Sequence, residues 1–144
     1  MTTIALKDGV LAFDSLVTFG NDRIGFLNKA VKTKDFMAAG AGNAEDVVAF
    51  LAWVKSGMFE GDKPVFGLDK QISLSAICIS KRGSIFCFDD KLFPMKIKAK
   101  FYSLGSGSAF AMGAMQFGAT AKEAVEVAKK LDTCTGGKIK TFSF

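Results

Sequence analysis

The sequence predicts an α+β domain, layered helix–sheet–sheet–helix or in two layers, with antiparallel hairpins and helices in separate runs. Three observations carry this. Asp8-Gly9 stands between two short apolar runs, a strong hairpin signal. The hydrophobic period changes to 3.6 at Asn43, and a capping box at Thr120 opens another such stretch. Alternation with period two returns in QISLSAICIS (71–80) and KIKTFSF (138–144). The 144 residues are enough for one domain with a real core and few for two, so residues 1–144 are read as one domain.

Each element follows in order. TIALK (3–7) and VLAFD (10–14) are the arms of the first hairpin. After Gly20-Asn21, IGFLNKAVKT is mixed in period and its state stays open, whereas DFMAAGAG (35–42) reads as a buried strand. Asn43, paired with Asp46 as a cap, starts a helix with Val47, Val48, Leu51 and Val54 on one face, ending near Gly57. Residues 58–70 are loop-like. QISLSAICIS, a KRG turn and SIFCFDD (84–90) form a second hairpin, and KIKAKFYSL (96–104) a further strand. The helix 108–117 is apolar all round and is expected to be buried between layers. Thr120 and Glu123 cap a third helix with Ala121, Ala124, Val125, Ala128 and Leu131 inward, while Lys122, Glu126 and Lys130 face water.

Composition narrows the chemistry. The chain has no histidine, which excludes a His-based triad and the usual zinc sites, so no metal or cofactor is expected. Any acid–base work near neutrality falls to a shifted side chain or the α-amino group. Cys78, Cys87 and Cys134 lack paired spacing and no secretory leader precedes them, so they read as reduced thiols in a cytoplasmic protein. No apolar run reaches membrane-spanning length. The net charge of +5 is scattered, apart from Lys96, Lys98 and Lys100 on one face of an expected strand. That stripe is read as a solvated edge, without the interleaved aromatics of a nucleic-acid platform.

Taken singly, the candidate site residues are ordinary. Thr2 and Thr3 are common strand formers, Asp14 ends a strand, Lys29 is a charge, and Gly42 precedes a helix. Gly105-Ser106-Gly107 lacks the lysine of a phosphate loop. Their order along the chain is more informative. TTIALKDGVLAFDSLVT at the start resembles the β-type proteasome subunits and the HslV-type peptidases, within the N-terminal nucleophile hydrolases. The resemblance continues through Lys29-Ala-Val, AAGAGNAED (38–46), LGSGSAFAMGA (104–114), GATAKEAVEVA (118–128) and DTCTGGKI (132–139). These blocks cover about two thirds of the chain in collinear order.

The resemblance implies a four-layer αββα sandwich of antiparallel sheets and a set of roles. Thr2 would be the nucleophile once Met1 is removed, with its freed α-amino group, of ordinary pKa about 7.7–8, as base. Lys29, preferred to Lys32, would favour loss of the Thr2 hydroxyl proton, held by Asp14. Gly42 would give its N–H to the oxyanion, and Ser106 and Asp132 would orient the amine, with Thr135 in the place of a family serine. Thr18 would bind an extended substrate, and Val17, Gly40 and Ala44 would leave room for a sizeable apolar side chain. Asn43 and Leu16 depart from the family pattern, which commonly has glycine and arginine there.

The function so implied is a threonine-type endopeptidase acting on peptides or unfolded protein, as a homo-oligomeric ring with an ATPase unfoldase partner. Alternatives are an inert ring or scaffold subunit of the same fold, favoured if Met1 is retained, and a small-molecule amidase of the same class. Nucleic-acid binding ranks last, and no membrane partner is expected.

Overall fold

A computed structural model of the chain describes residues 2–58, 63–64 and 73–144, and among them forms eleven strands and three helices. They belong to two compact units, Met1–Asn28 with Ala99–Phe144 and Lys29–Lys98. Every strand pairing is antiparallel. The expected loop 58–70 and the start of QISLS fall largely outside the described residues.

In the first unit, β1 (Thr3–Lys7) and β2 (Val10–Phe13) form the expected hairpin. Asp8 and Gly9 both take positive φ, 52° and 73°, the turn whose twist matches its strands. β10 (Phe101–Gly105) pairs on the other side of β1, and β11 (Lys140–Phe142) on the other side of β2, giving the order β10-β1-β2-β11. Ala5 faces Ala12 across the hairpin, and these small side chains let α2 (Ser108–Gln116) and α3 (Ala121–Leu131) pack close. Ala111, Met115, Ala121, Ala124 and Val125 fill that cluster. Lys7 Nζ donates to the carbonyls of Met115 (3.1 Å) and Ala119 (2.8 Å), where a cation meets the negative end of α2. A separate hairpin, β3 (Leu16–Phe19) and β4 (Asp22–Phe26), carries a bulge at Val17/Thr18.

In the second unit, β5 (Ala30–Lys32), β6 (Phe36–Gly42), β7 (Leu74–Ser80), β8 (Ile85–Phe88) and β9 (Met95–Ile97) form a sheet in chain order. α1 (Ala44–Lys55) packs on it through Val47, Phe50, Leu51 and Val54. Phe50 stands 5.3 Å from the Phe88 ring and 6.2 Å from that of Trp53.

Several expectations are corrected. The stretch 96–104 is not one strand: β9 ends at Ile97 and β10 begins at Phe101, so Lys98 and Lys100 lie outside the ladder with no shared strand face. The helix 108–117 is not enclosed, since Ala111 and Met115 are buried while Phe110 and Phe117 are exposed. Val48 points outward and Phe50 takes its place, because positions 47, 50, 51 and 54 follow the helical turn more closely. Leu131, in the last turn of α3, is exposed. Asn43 occupies the N-cap of α1 but its side chain makes no cap bond, and Asp46 instead accepts the Ser73 N–H at 3.2 Å. The box at Thr120 does form, with Thr120 Oγ1 accepting the Glu123 N–H and the Glu123 carboxylate accepting that of Thr120.

Two outcomes follow from this packing. Phe50→Ala is expected to cost about 3–5 kcal/mol in chemical denaturation, because it empties the centre of the α1 cluster. Burial pushes the Cys78 thiol up to about 12, and Cys87 is buried too, whereas Cys134 is partly open. A thiol reagent is therefore expected to modify Cys134 in native protein and the other two only on unfolding, as read by peptide mapping.

Candidate active site

The two ends of the first unit meet around two carboxylates. Asp14, fully buried at the end of β2, accepts the Thr3 N–H on Oδ1 and the Gly136 N–H on Oδ2, both at 3.0 Å. The Gly136 carbonyl in turn accepts the N–H groups of Ser15 (3.2 Å) and Leu16 (3.1 Å). These bonds hold the segment after α3 against the start of β1.

Asp132, the C-cap residue of α3, is the second carboxylate. Its Oδ2 accepts the hydroxyls of Ser106 at 2.6 Å and Thr135 at 2.5 Å, and its Oδ1 the Cys134 N–H at 3.3 Å. Desolvation works against its ionisation, but these hydrogen bonds outweigh it and hold the carboxyl below its ordinary value of 3.8. Asp132 is thus an anion at neutral pH, and an anion only accepts. Both hydroxyl protons are therefore committed to it. Ser106 keeps only lone pairs for any further partner.

Backbone register relates Thr2 to that serine. Thr3 pairs with Gly105 at the end of the β1–β10 ladder, and Thr2 and Ser106 are the residues that follow that pair on the two strands. Gly105 permits the approach: its φ is +101°, and a Cβ there would run into the Thr2 carbonyl. The structure therefore gathers Thr2, Ser106, Asp132, Thr135 and Asp14 in one region of one unit. Thr18 and Val17 lie on β3 at the bulge, half-buried and paired with Arg23 and Gly25.

Lys29, Gly40, Gly42 and Ala44 belong to the second unit. Lys29 is buried, and its carbonyl accepts the Gly40 N–H at 3.1 Å, extending the β5–β6 ladder by one residue. Gly42 ends β6 with φ +127°, where a Cβ would meet the Ser73 carbonyl. No other residue type fits there. Gly40 leaves no free room of its own, because a Cβ would stand 3.2 Å from the Val47 side chain. Its smallness serves the packing of α1. Ala44 is exposed at the first turn of α1.

Thr3 reads in the sequence only as a common strand former. It is fully buried, its N–H is on Asp14, and its hydroxyl stands 2.6 Å from that of Thr135. A threonine in a strand gives no signal of such a place. Elsewhere in this unit a cavity of about 460 Å³ is lined by Ser15, Phe26, Leu27, Asn28, Lys138 and Lys140, none of them a candidate site residue. Among the described residues no helix is long and apolar enough to cross a membrane, and no cluster of three metal-ligating side chains occurs.

Two outcomes test this geometry. Asp14→Ala strands two buried N–H donors, and a loss of about 1–3 kcal/mol for each is expected in chemical denaturation. Asp132 has a folded pKa below its unfolded one, so its contribution to stability is present above 3.8 and is lost as pH falls through the folded value. Asp132→Asn is expected to flatten that acid limb of a plot of Tm against pH.

No family model matches the sequence, and no curated protein does. Solved structures do match, over nearly the whole chain. HslV from Trypanosoma brucei is 16% identical with a TM-score of 0.72, covering 99% of this chain and 99% of its own. The BPH protein of Thiobacillus denitrificans is 20% identical with a TM-score of 0.70, covering 99% of this chain and 96% of its own. The same protein in complex with epoxomicin gives 22% and 0.68, covering 99% and 97%. At such identities the likeness is one of fold, and the α+β chain described above is folded like HslV and BPH.

Proposed function

We propose that the chain is a threonine-type endopeptidase subunit in which Thr2 is the nucleophile once Met1 has been removed. The observation that carries this reading is the commitment of the Ser106 and Thr135 hydroxyl protons to Asp132 beside the start of β1. With its proton donated to Asp132, Ser106 offers only lone pairs, and an N–H of the Thr2 α-amino group, one residue beyond the Thr3–Gly105 pair, would be its donor. The nearby anion stabilises the ammonium form and so strengthens the amine as a base.

The reaction then balances within the chain and water. The Thr2 hydroxyl oxygen bonds to the scissile carbonyl carbon while its proton passes to the α-amino group. The tetrahedral oxyanion collapses, the C–N bond breaks, and the ammonium returns the proton to the leaving amine. An ester on Thr2 remains. Water, deprotonated by the same amine, attacks the ester carbon; the bond to the Thr2 oxygen then breaks, that oxygen takes the proton back from the ammonium, and the acid leaves. Gly42 is assigned the oxyanion N–H and Lys29 the cation that eases ionisation of the nucleophile, with Thr18 contributing backbone hydrogen bonds along an extended peptide. Asp14 serves by holding Thr3 and Gly136.

Such a site is useful in a cell only when enclosed, so the reading includes a homo-oligomeric ring fed by an ATPase unfoldase. Phe110 and Phe117, exposed on and just after α2, support a helix that faces another subunit.

Intact mass before and after treatment with epoxomicin or a β-lactone tests the proposal. Loss of one methionine and one adduct per chain, absent in Thr2→Ala, is the expected result. Full-length mass with no adduct would contradict it and favour an inert ring subunit.

A further inference from the structure

The Thr3–Thr135 bond has a direction that hydrogen counting settles. Thr135 has one hydroxyl proton, and it is donated to Asp132 Oδ2. In the 2.6 Å contact with Thr3, Thr135 therefore accepts and Thr3 donates. Thr3 is also fixed at its N–H by Asp14. The residue next to the nucleophile is thus tied to one carboxylate directly and to the other through a hydroxyl.

A second observation is independent of those bonds. Gly107, the N-cap residue of α2, has φ −91°, which any residue can adopt. A Cβ there would nonetheless collide with Thr3 Oγ1 and stand 2.9 Å from the Ala128 Cβ and 3.0 Å from Thr135 Oγ1. Glycine is required at this position for space, and the space is taken first by the Thr3 hydroxyl, then by the Ala128 methyl and the Thr135 hydroxyl.

We propose that Thr3 is a positioning residue, whose hydroxyl proton turns that of Thr135 onto Asp132 and so keeps the Ser106–Asp132 pair set to receive the Thr2 amine. The relay runs Thr3 to Thr135 to Asp132, each hydroxyl polarising the next. It rests on the reading of Thr2 as nucleophile, but the relay itself can be observed without catalysis. No proton leaves it. Its work is orientation.

The test compares Thr3→Ala, which removes the hydroxyl, with Thr3→Ser, which keeps it. Two readouts are taken: the rate of Thr2 acylation by a β-lactone, and the Thr135 hydroxyl proton resonance. Thr3→Ala is expected to slow acylation by about tenfold, the worth of one oriented hydrogen bond, and to move that resonance upfield. Thr3→Ser is expected to restore both, and in a Thr135→Ala background Thr3→Ala is expected to change the rate little. Thr3→Ala with wild-type acylation or an unmoved resonance overturns the inference. Should Thr3→Ala not fold, Thr135→Ala decides instead, because the relay requires it to slow acylation at least as much and a wild-type rate overturns it. If wild-type protein never acylates while the resonance moves as expected, the peptidase reading fails and the relay stands.

Discussion

A buried carboxylate joins the beginning of this protein to its end. Asp14 accepts one N–H from residue 3 and another from residue 136, and few acceptors other than a carboxylate can face two such donors at once. Hydrogen bonds to a charged group are worth about 1.5–3 kcal/mol each, more than most single contacts in a small domain. What they secure is local but decisive. β1 cannot fray at its first residue, and the segment carrying Asp132 and Thr135 is fixed beside it. The Asp132 hydrogen bonds to Ser106 and Thr135 lie in the same unit as that closure.

In the proposed mechanism, chemistry usually carried by imidazole would be distributed over hydroxyls, a carboxylate and a chain terminus. A protein without histidine has few groups that titrate near neutrality, and the α-amino group is one of them. Its usefulness depends on orientation, which hydroxyls supply when their protons are committed. Asp132 commits those of Ser106 and Thr135, and Thr135 in turn commits that of Thr3. The glycines are the spatial counterpart of this network. Gly105 admits the Thr2 carbonyl, and Gly107 admits the Thr3 and Thr135 hydroxyls.

Much of the fold was legible because local chemistry decided it. Asp8-Gly9 can form one kind of tight turn and does, and Thr120 with Glu123 closes both bonds of its box. The errors arose where tertiary structure overrides pattern. KIKAKFYSL alternates without interruption, yet β9 and β10 pair with β8 and β1, strands of different sheets, and no period marks where the chain changes partner. The helix after Gly107 is apolar all round, and sequence cannot distinguish burial inside a subunit from a face left exposed on it. Val48 and Phe50 both fit a broad apolar stripe, and ring packing with Phe88 and Trp53 selects Phe50. Ser106, Asp132 and Thr135 were reached through resemblance and not through spacing, since 26 residues separate the first two. Thr3 was missed because a strand former and a buried donor are spelled with the same letter.

In the proposed mechanism the α-amino group of Thr2 is the base and Asp132 tunes it. Titration of that amine by ¹⁵N NMR in protein lacking Met1, with and without Asp132→Asn, tests it most directly. A single titration is expected whose pKa falls when the anion is removed, because a nearby negative charge stabilises the ammonium. An amine that titrates at the ordinary value of about 7.7–8 and ignores the substitution would contradict it.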